Sequence, residues 1–331
     1  MTMATLFIDR REALIEAESG SLIVRSGDGG LWRTPLAPLE RVVLRGPARI
    51  STGAIAAITG AGCGLIVLSG RRSEPAGTLI GRPHADAAIR LGLFRLALDD
   101  KARRRIAALI VRHKLIGQAR LLRVALAQRP DRRLPLRRGL EALAESLARL
   151  RAAETWSQAQ LAGLEGAGAA AYFQAYATLF PTSLGFVRRN RRPPRDPVNA
   201  VLSLAYTLGH FEAVREAHLA GLDPAVGFLH TLAPGRDSLA CDLVEPLRPL
   251  LDRLVWRLFA EEVLRKAHFT HDGEACLLGK AGRLAFYAAW EEAFLPARRL
   301  LRRGLRPLVR AARAAAQGLF DLPPDAAGLA S

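Results

Sequence analysis

The chain has 331 residues, half of them hydrophobic, and carries 48 Lys and Arg against 31 Asp and Glu, a formal net charge of +17. That apolar share can bury a sizeable core, which excludes a disordered chain, and so large a basic excess points to a polyanionic partner. Three cysteines, Cys63, Cys241 and Cys276, show no CxxC or comparable spacing, which excludes a disulfide framework and a structural zinc site.

Short strands are predicted at 5–8, 13–16, 22–25, 31–34 and 41–44, separated by turn residues such as Ser19-Gly20 and Gly27-Asp28-Gly29-Gly30. Ser51 is a natural N-cap for a short helix with Ala54, Ile55, Ile58 and Ala61 on one side, ended by Gly62. A further apolar strand spans 65–68, and the β-rich module closes near Gly81-Arg82-Pro83. From about residue 85 the pattern is helical throughout. Ile106, Leu109, Ile110 and His113 fall on one helical face, and Leu140, Leu143, Leu147 and Leu150 on another, with the proline-marked stretch 128–138 between them. Later helices are predicted at 165–179, 197–219, 238–267 and 279–314. The fold class is therefore α+β with two domains: a small N-terminal β-rich domain at 1–83, a larger all-α domain at 84–322, and a disordered tail at 323–331. Apolar runs are broken by charges well before membrane-spanning length, so the expected location is the cytoplasm.

Chemistry concentrates in HTLAPGRDSLACDLVEPLR, where His230 is followed by Asp242 and Glu245. Acids three residues apart project from one helix face. With Leu239, Leu243 and Leu247 keeping the segment partly buried, the pair needs a bound cation or a guanidinium, Arg236 or Arg248, to neutralise it. A third acid, Glu165, stands among Gly163, Gly166, Ala167 and Gly168 with no local partner. Two carboxylates and an imidazole suit Mn²⁺ and tolerate Mg²⁺. Taken singly, each signal is also what a core histidine, a solvated helix face or a helix-start Glu gives. Between Glu165 and His230 lies RRNRRPPR, five arginines in eight residues, which prolines would keep extended for forked contacts to phosphate.

The segments LEGAGAAAYF, NRRPPRDPVNAVLSLAYTL, GLDPAVGFLH, GRDSLACDLVEPLRPL and ACLLGKAGRLAFYAAWE resemble, in order and spacing, the CRISPR-associated spacer-acquisition integrase/endonuclease family, the "Cas one" family. LFIDRREALIE, PLAPLERVVLRG and CGLIVLSGRR are similar to its β-rich domain, and the likeness runs from residue 4 to 315. The resemblance implies a β-sandwich-like N-terminal domain, a helical catalytic domain and a homodimer. It implies that Mg²⁺ or Mn²⁺ is held by Glu165, His230 and Glu245, with Asp242 as a supporting acid. It also implies a small ferredoxin-like partner protein, and insertion of short double-stranded DNA fragments into a repeat array through attack by a 3′-hydroxyl. This sequence has Glu rather than Asp at 245, and an inserted Gly168 leaves the helix start around Glu165 open. Tyr172, Arg191, Arg192, Asn199, Arg248 and Lys280 have the charge or hydrogen-bonding capacity for DNA contact or active-site support. Two alternatives are a general metal-dependent nuclease for branched or single-stranded DNA and a non-catalytic DNA-binding scaffold.

Overall fold

The computed structural model describes residues 4–10, 12–69, 74–81, 86–190 and 193–317. In chain order these form β1 (Ala4–Asp9), β2 (Ala13–Glu18), β3 (Ser21–Arg25), β4 (Leu31–Pro35), β5 (Leu39–Arg45), β6 (Ala48–Ile50), α1 (Thr52–Gly60), β7 (Gly64–Ser69) and β8 (Glu74–Leu79). There follow α2 (Ala87–Leu98), α3 (Asp100–Gln128), α4 (Arg133–Ala152), α5 (Gln158–Ala177), α6 (Pro197–Leu219), α7 (Ser238–Val244), α8 (Arg248–Ala260), β9 (Phe269–Asp272), β10 (Ala275–Leu278) and α9 (Lys280–Ala315). The proposed tail at 323–331 lies outside the described residues.

The N-terminal part is two four-stranded sheets, ordered β1-β5-β7-β8 and β4-β3-β2-β6. In β2, Ala13 and Ile15 turn inward while Leu14 is exposed, the period of two that a half-buried strand requires. Ile8, Val42, Leu44 and Leu65 of the first sheet meet Ala13, Ile15, Leu22 and Val24 of the second, with Ala54 and Ile58 of α1, in one apolar cluster. The opposite face of the first sheet supplies Val43, Ile66 and Leu68 to the helical core. Covered on both faces, β7 is apolar at consecutive positions rather than alternating. Ser51 caps α1 by accepting from the Ala54 amide, as predicted.

Several expectations need correction. β6 was not predicted, being three residues long, and neither was β8, an edge strand whose Pro and Gly read as loop. The C-terminal part is not helical throughout: β9 and β10 form a hairpin around Gly273, which has a φ of 57°. The predicted helix 238–267 is broken at Pro246 and Pro249, which impose a 3-10 turn over Glu245–Leu247. On α3, Leu109 is 45% exposed and His113 is exposed, because the buried face runs through Ala107, Val111, Lys114, Leu115 and Gln118. Counting only large apolar residues turned that face by about a third of a helix. α5 begins at a Ser157 capping box with Gln160, so Glu165 lies inside the helix rather than at its start.

The strand-rich and helical parts are joined by buried charge as well as apolar contact. Arg41 of β5 pairs with its neighbour Glu40 at 2.7 Å and with Glu212 of α6 at 2.9 Å. From α9, Arg298 reaches Glu40 at 3.0 Å and Glu212 at 3.4 Å, and Arg302 bridges Glu40 to Glu216 at 2.8 Å each. Arg215 closes the network on Glu216 at 2.9 Å. Burial works to raise the Glu40 carboxyl, but Arg302, Arg298 and Arg41 outweigh it and hold its pKa below the usual value. Phe7 of β1 stacks on Tyr287 of α9 with ring centroids 3.9 Å apart, at the same junction between sheet and helices.

Candidate active site

Glu165 from the middle of α5 and Glu245 from the turn before α8 converge on one side chain, Lys114 of α3. Its Nζ donates to Glu165 Oε1 and lies 2.5 Å from Glu245 Oε2. Two glycines permit this convergence. A Cβ on Gly168 would stand 2.4 Å from Leu115 Cδ2, and one on Gly117 would stand 2.9 Å from Pro249 Cγ. Close approach at both places draws α5 and the start of α8 against the turn of α3 that bears Lys114. The extra Gly168 therefore does not disturb the helix around Glu165; it sets how near that helix comes. Glu165, which has no local partner in sequence, finds one in Lys114, 51 residues away.

His230 sits on the loop between α6 and α7, held from two sides. Asp242, wholly buried, accepts from the backbone amides of Phe228 (2.6 Å), Leu229 (2.9 Å) and His230 (2.9 Å) and from His230 Nδ1 at 2.7 Å. On the other side, the Gln158 amide donates to the carbonyls of Phe228 and Leu229. An ionised carboxylate can only accept, so this contact places a proton on Nδ1, and in the neutral ring Nε2 carries the lone pair. Nε2 lies 3.9 Å from Glu245 Oε1. Asp242→Asn is expected to cost about 3 kcal/mol or more of stability, since several donors lose a charged acceptor at once. Urea unfolding reads the cost, and ¹⁵N NMR of His230 reads the loss of the fixed tautomer. A variant with unchanged stability and tautomer would refute this role.

Glu245 is 3% exposed and also meets Arg248 at 3.0 Å. Burial pushes its carboxyl pKa up, but Arg248, Lys114 and His230 together outweigh burial and hold it below the ordinary Glu value. Arg248 lies over the Tyr206 ring at 4.6 Å, and Tyr206 donates to Asp252 Oδ1 at 2.5 Å. Tyr172 donates to Asp252 Oδ2 at 2.8 Å, and Tyr176 to the Asp252 carbonyl at 2.7 Å. This row of groups fixes Arg248, and through it Glu245, from beneath.

Burial raises the Asp252 carboxyl to about 6, against the opposing pull of the Tyr206 and Tyr172 hydroxyls and of Arg248 and Arg189. With a folded-state pKa above its unfolded value, its contribution to stability is present below about pH 4 and is lost as pH rises through 6. Wild type is therefore expected to lose roughly 3 kcal/mol relative to Asp252→Asn between pH 4 and pH 7, at about 1.4 kcal/mol per pH unit. Urea unfolding of both proteins at the two pH values checks it. Parallel behaviour would remove Asp252 as a titrating group.

The other sequence candidates are placed as follows. Tyr172 is fully buried with its hydroxyl on Asp252, so it supports the site from inside and presents nothing to a surface ligand. Asn199, also fully buried, accepts from Arg189 Nη1 (2.7 Å) and the Asn190 amide (3.0 Å) and donates to the Arg188 carbonyl (2.9 Å), which fixes the arginine-rich loop rather than offering a contact. Arg189 does not fan outward: it bonds Asn199 and Ser203 and lies over Tyr206. Arg188 and Arg195 are exposed, while Arg191 and Arg192 lie outside the described residues. Lys280 lines a separate cleft of about 890 Å³ with Arg283, His271 and Asp9, whose lining includes none of Glu165, His230 and Glu245. Arg236 faces Thr231 and Ser238 instead of either acid.

Sequence reasoning missed Lys114, Gln158, Tyr206 and Asp252. One signal was available for the first: the chain has four lysines against 44 arginines, so a lysine inside an apolar helix face is an unusual choice.

As they stand, no three His, Cys, Asp or Glu groups among the described residues are spaced to share one ion. The ammonium of Lys114 nevertheless marks a place for positive charge between Glu165 and Glu245, with His230 Nε2 3.9 Å from the other oxygen of Glu245. That set of two oxygen donors and one nitrogen fits Mn²⁺ or Mg²⁺. The carboxylate of Glu165 is 25% exposed and the ring of His230 31%, so the site opens on the surface rather than into a closed pocket.

The same architecture is found in solved proteins that differ widely in sequence. A casposase bound to its integration product superposes with a TM-score of 0.83 at 19% identity, over 94% of this chain and 91% of that one. A CAS1 protein from Thermotoga maritima gives 0.81 at 19% identity, over 94% and 97%. The profile of the family described as CRISPR associated protein Cas1 matches residues 6–292. The CRISPR-associated endonuclease Cas1 1 of Thermodesulfovibrio yellowstonii is 37% identical over 301 residues, 88% of this chain and 91% of its own. The CRISPR-associated endonuclease Cas1 3 of Thermus thermophilus is 34% identical over 292 residues, 87% and 84%. The chain belongs to the Cas1 family of CRISPR-associated proteins.

Proposed function

We propose that the chain is a divalent-metal-dependent DNA integrase and endonuclease of CRISPR adaptation, joining the 3′-hydroxyl of a short duplex to a phosphodiester of a repeat array. One observation carries this: Glu165 and Glu245 converge on the ammonium of Lys114, with His230 Nε2 3.9 Å from Glu245, at a site that opens to the surface, where a duplex too large for any cavity can reach it. The relatives support it, being named endonucleases, and so does the likeness to a casposase solved with an integration product.

In this reading Glu165, His230 and Glu245 hold Mg²⁺ or Mn²⁺. When bound, the ion supplies charge neutralisation at the phosphoryl oxygens and acidifies the attacking hydroxyl. Asp242 holds the His230 tautomer, so Nε2 is a lone pair without any rearrangement. Arg248, seated on Tyr206, keeps Glu245 ionised and oriented. Arg188 and Arg195 are exposed, Arg195 in a surface pair with Glu274, and can meet phosphates without reading sequence.

The proposal extends to a homodimer, a domain boundary near residue 83, a small ferredoxin-like partner and a cytoplasmic location. The partner is supported by a fold likeness to a Cas6-RT-Cas1–Cas2 complex chain, TM-score 0.78 at 21% identity. Among the described residues, no helix is long and apolar enough to cross a membrane.

The test incubates wild type and His230→Ala with a 3′-hydroxyl duplex and a supercoiled repeat-bearing plasmid, with and without the partner, in Mn²⁺ or EDTA. Metal-dependent joined products that disappear in His230→Ala are expected. Cleavage without joining would favour a hydrolytic nuclease, and DNA binding with neither reaction would favour a scaffold.

A further inference from the structure

Lys114 stands where the mechanism needs a metal ion. Its side chain is 6% exposed, and its ammonium contacts both Glu165 and Glu245 from a helix that supplies no other group to the site. In a chain with 44 arginines, this is the residue type whose charge is a compact point with three donors, close in character to a small cation. Without it, Glu165 and the almost wholly buried Glu245 would face each other with Arg248 and His230 as the ion-pair partners left to Glu245 among the described residues.

Resting on the reading of this site as a divalent metal centre, we propose that Lys114 is an internal counter-cation. It holds the two ligand carboxylates together in the metal-free protein and competes with the metal for them, so that metal entry displaces its ammonium from between Glu165 and Glu245. The metal affinity of the wild-type protein is then weaker than its donor set alone would give, and the metal-free site is kept assembled in return. Arg248 differs in kind: among the described residues its ion pair is with Glu245 and not with Glu165, from the side held by Tyr206.

The experiment measures Mn²⁺ binding to the full-length, metal-free protein by EPR and calorimetry, and thermal unfolding in EDTA and in saturating Mn²⁺. Wild type, Lys114→Met, Lys114→Gln, Arg248→Met and Glu245→Gln are compared. Lys114→Met is expected to bind Mn²⁺ at least about 10-fold more tightly than wild type, about 1.4 kcal/mol, with a smaller gain or a loss for Arg248→Met. Its melting temperature in EDTA falls below wild type, while its rise on adding Mn²⁺ is larger. Lys114→Gln, which keeps two hydrogen-bond donors without the charge, shows the same tightening if the methionine variant folds poorly. Unchanged or weaker Mn²⁺ affinity in both lysine variants overturns the inference even when wild type binds Mn²⁺ and Glu245→Gln does not. If wild type and both lysine variants all fail to bind Mn²⁺, the metal-centre reading falls, and this inference with it.

Discussion

If the proposed function holds, Glu245→Gln is expected to lower metal-dependent DNA joining and cleavage by at least ~100-fold, the upper end of losses seen when only an outer-shell partner of a metal is removed. It also removes the shared anion of Lys114 and Arg248, leaving Lys114 on Glu165 alone and the buried Arg248 without its carboxylate partner. Uncompensated buried charge costs on the order of 3–5 kcal/mol, so the variant should be measurably less stable as well as less active. The two effects separate by pH. The folded-state pKa of Glu245 lies below its ordinary 4.5, so its stabilising contribution is present above that value and is lost as pH falls through the folded-state value. Urea unfolding of both proteins at pH 7 and near pH 4 should show the gap narrowing in acid. A gap that stays constant would mean that Glu245 contributes packing and no charge.

A second large effect is expected far from the DNA chemistry. Glu212 is 1% exposed and neutralises Arg41 and Arg298, with Arg215 at 3.8 Å. Glu212→Ala leaves four guanidinium groups, Arg41, Arg215, Arg298 and Arg302, sharing Glu40 and Glu216, an uncompensated buried charge worth roughly 3–5 kcal/mol. In a protein of this size that corresponds to a melting temperature lower on the order of 10 °C. Differential scanning calorimetry measures it. A change of only a degree or two would mean that water, or a shift of Glu40 and Glu216 toward the guanidinium groups, makes up for the missing carboxylate.

The parts of this fold that could be read directly were those where one period dominates. The 197–219 helix was predicted with its observed bounds because Pro197 and the long apolar run after it leave one choice, and Asp196 caps it through the Asn199 amide. Glu165, His230 and Glu245 could be picked out because their neighbours are small or apolar. What they meet was not legible. Lys114 follows Lys101, Arg103, Arg104, Arg105 and Arg112 on α3, and nothing local says that it points inward while Arg103, Arg104 and Arg105 face solvent or surface acids. The hairpin at 269–278 was hidden for a related reason: a four-residue strand is too short for periodicity to outvote the helices on either side. Asp-Gly at 272–273 was its one local mark. Pro246 and Pro249 were visible, yet their effect depends on the chain having α3 to pack against at the break, which is tertiary information.

The saturation of Asp242 limits how the site can fail. A carboxylate has about four places at which to accept a hydrogen bond, and Asp242 already takes four donors on its two oxygens. Although it lies three residues from Glu245 on the same stretch of chain, it has no lone pair to lend, so the pair has no redundancy. Random variation at 245 meets no neighbouring acid able to stand in, and a protein that has lost Glu245 can recover only by placing a carboxylate there again.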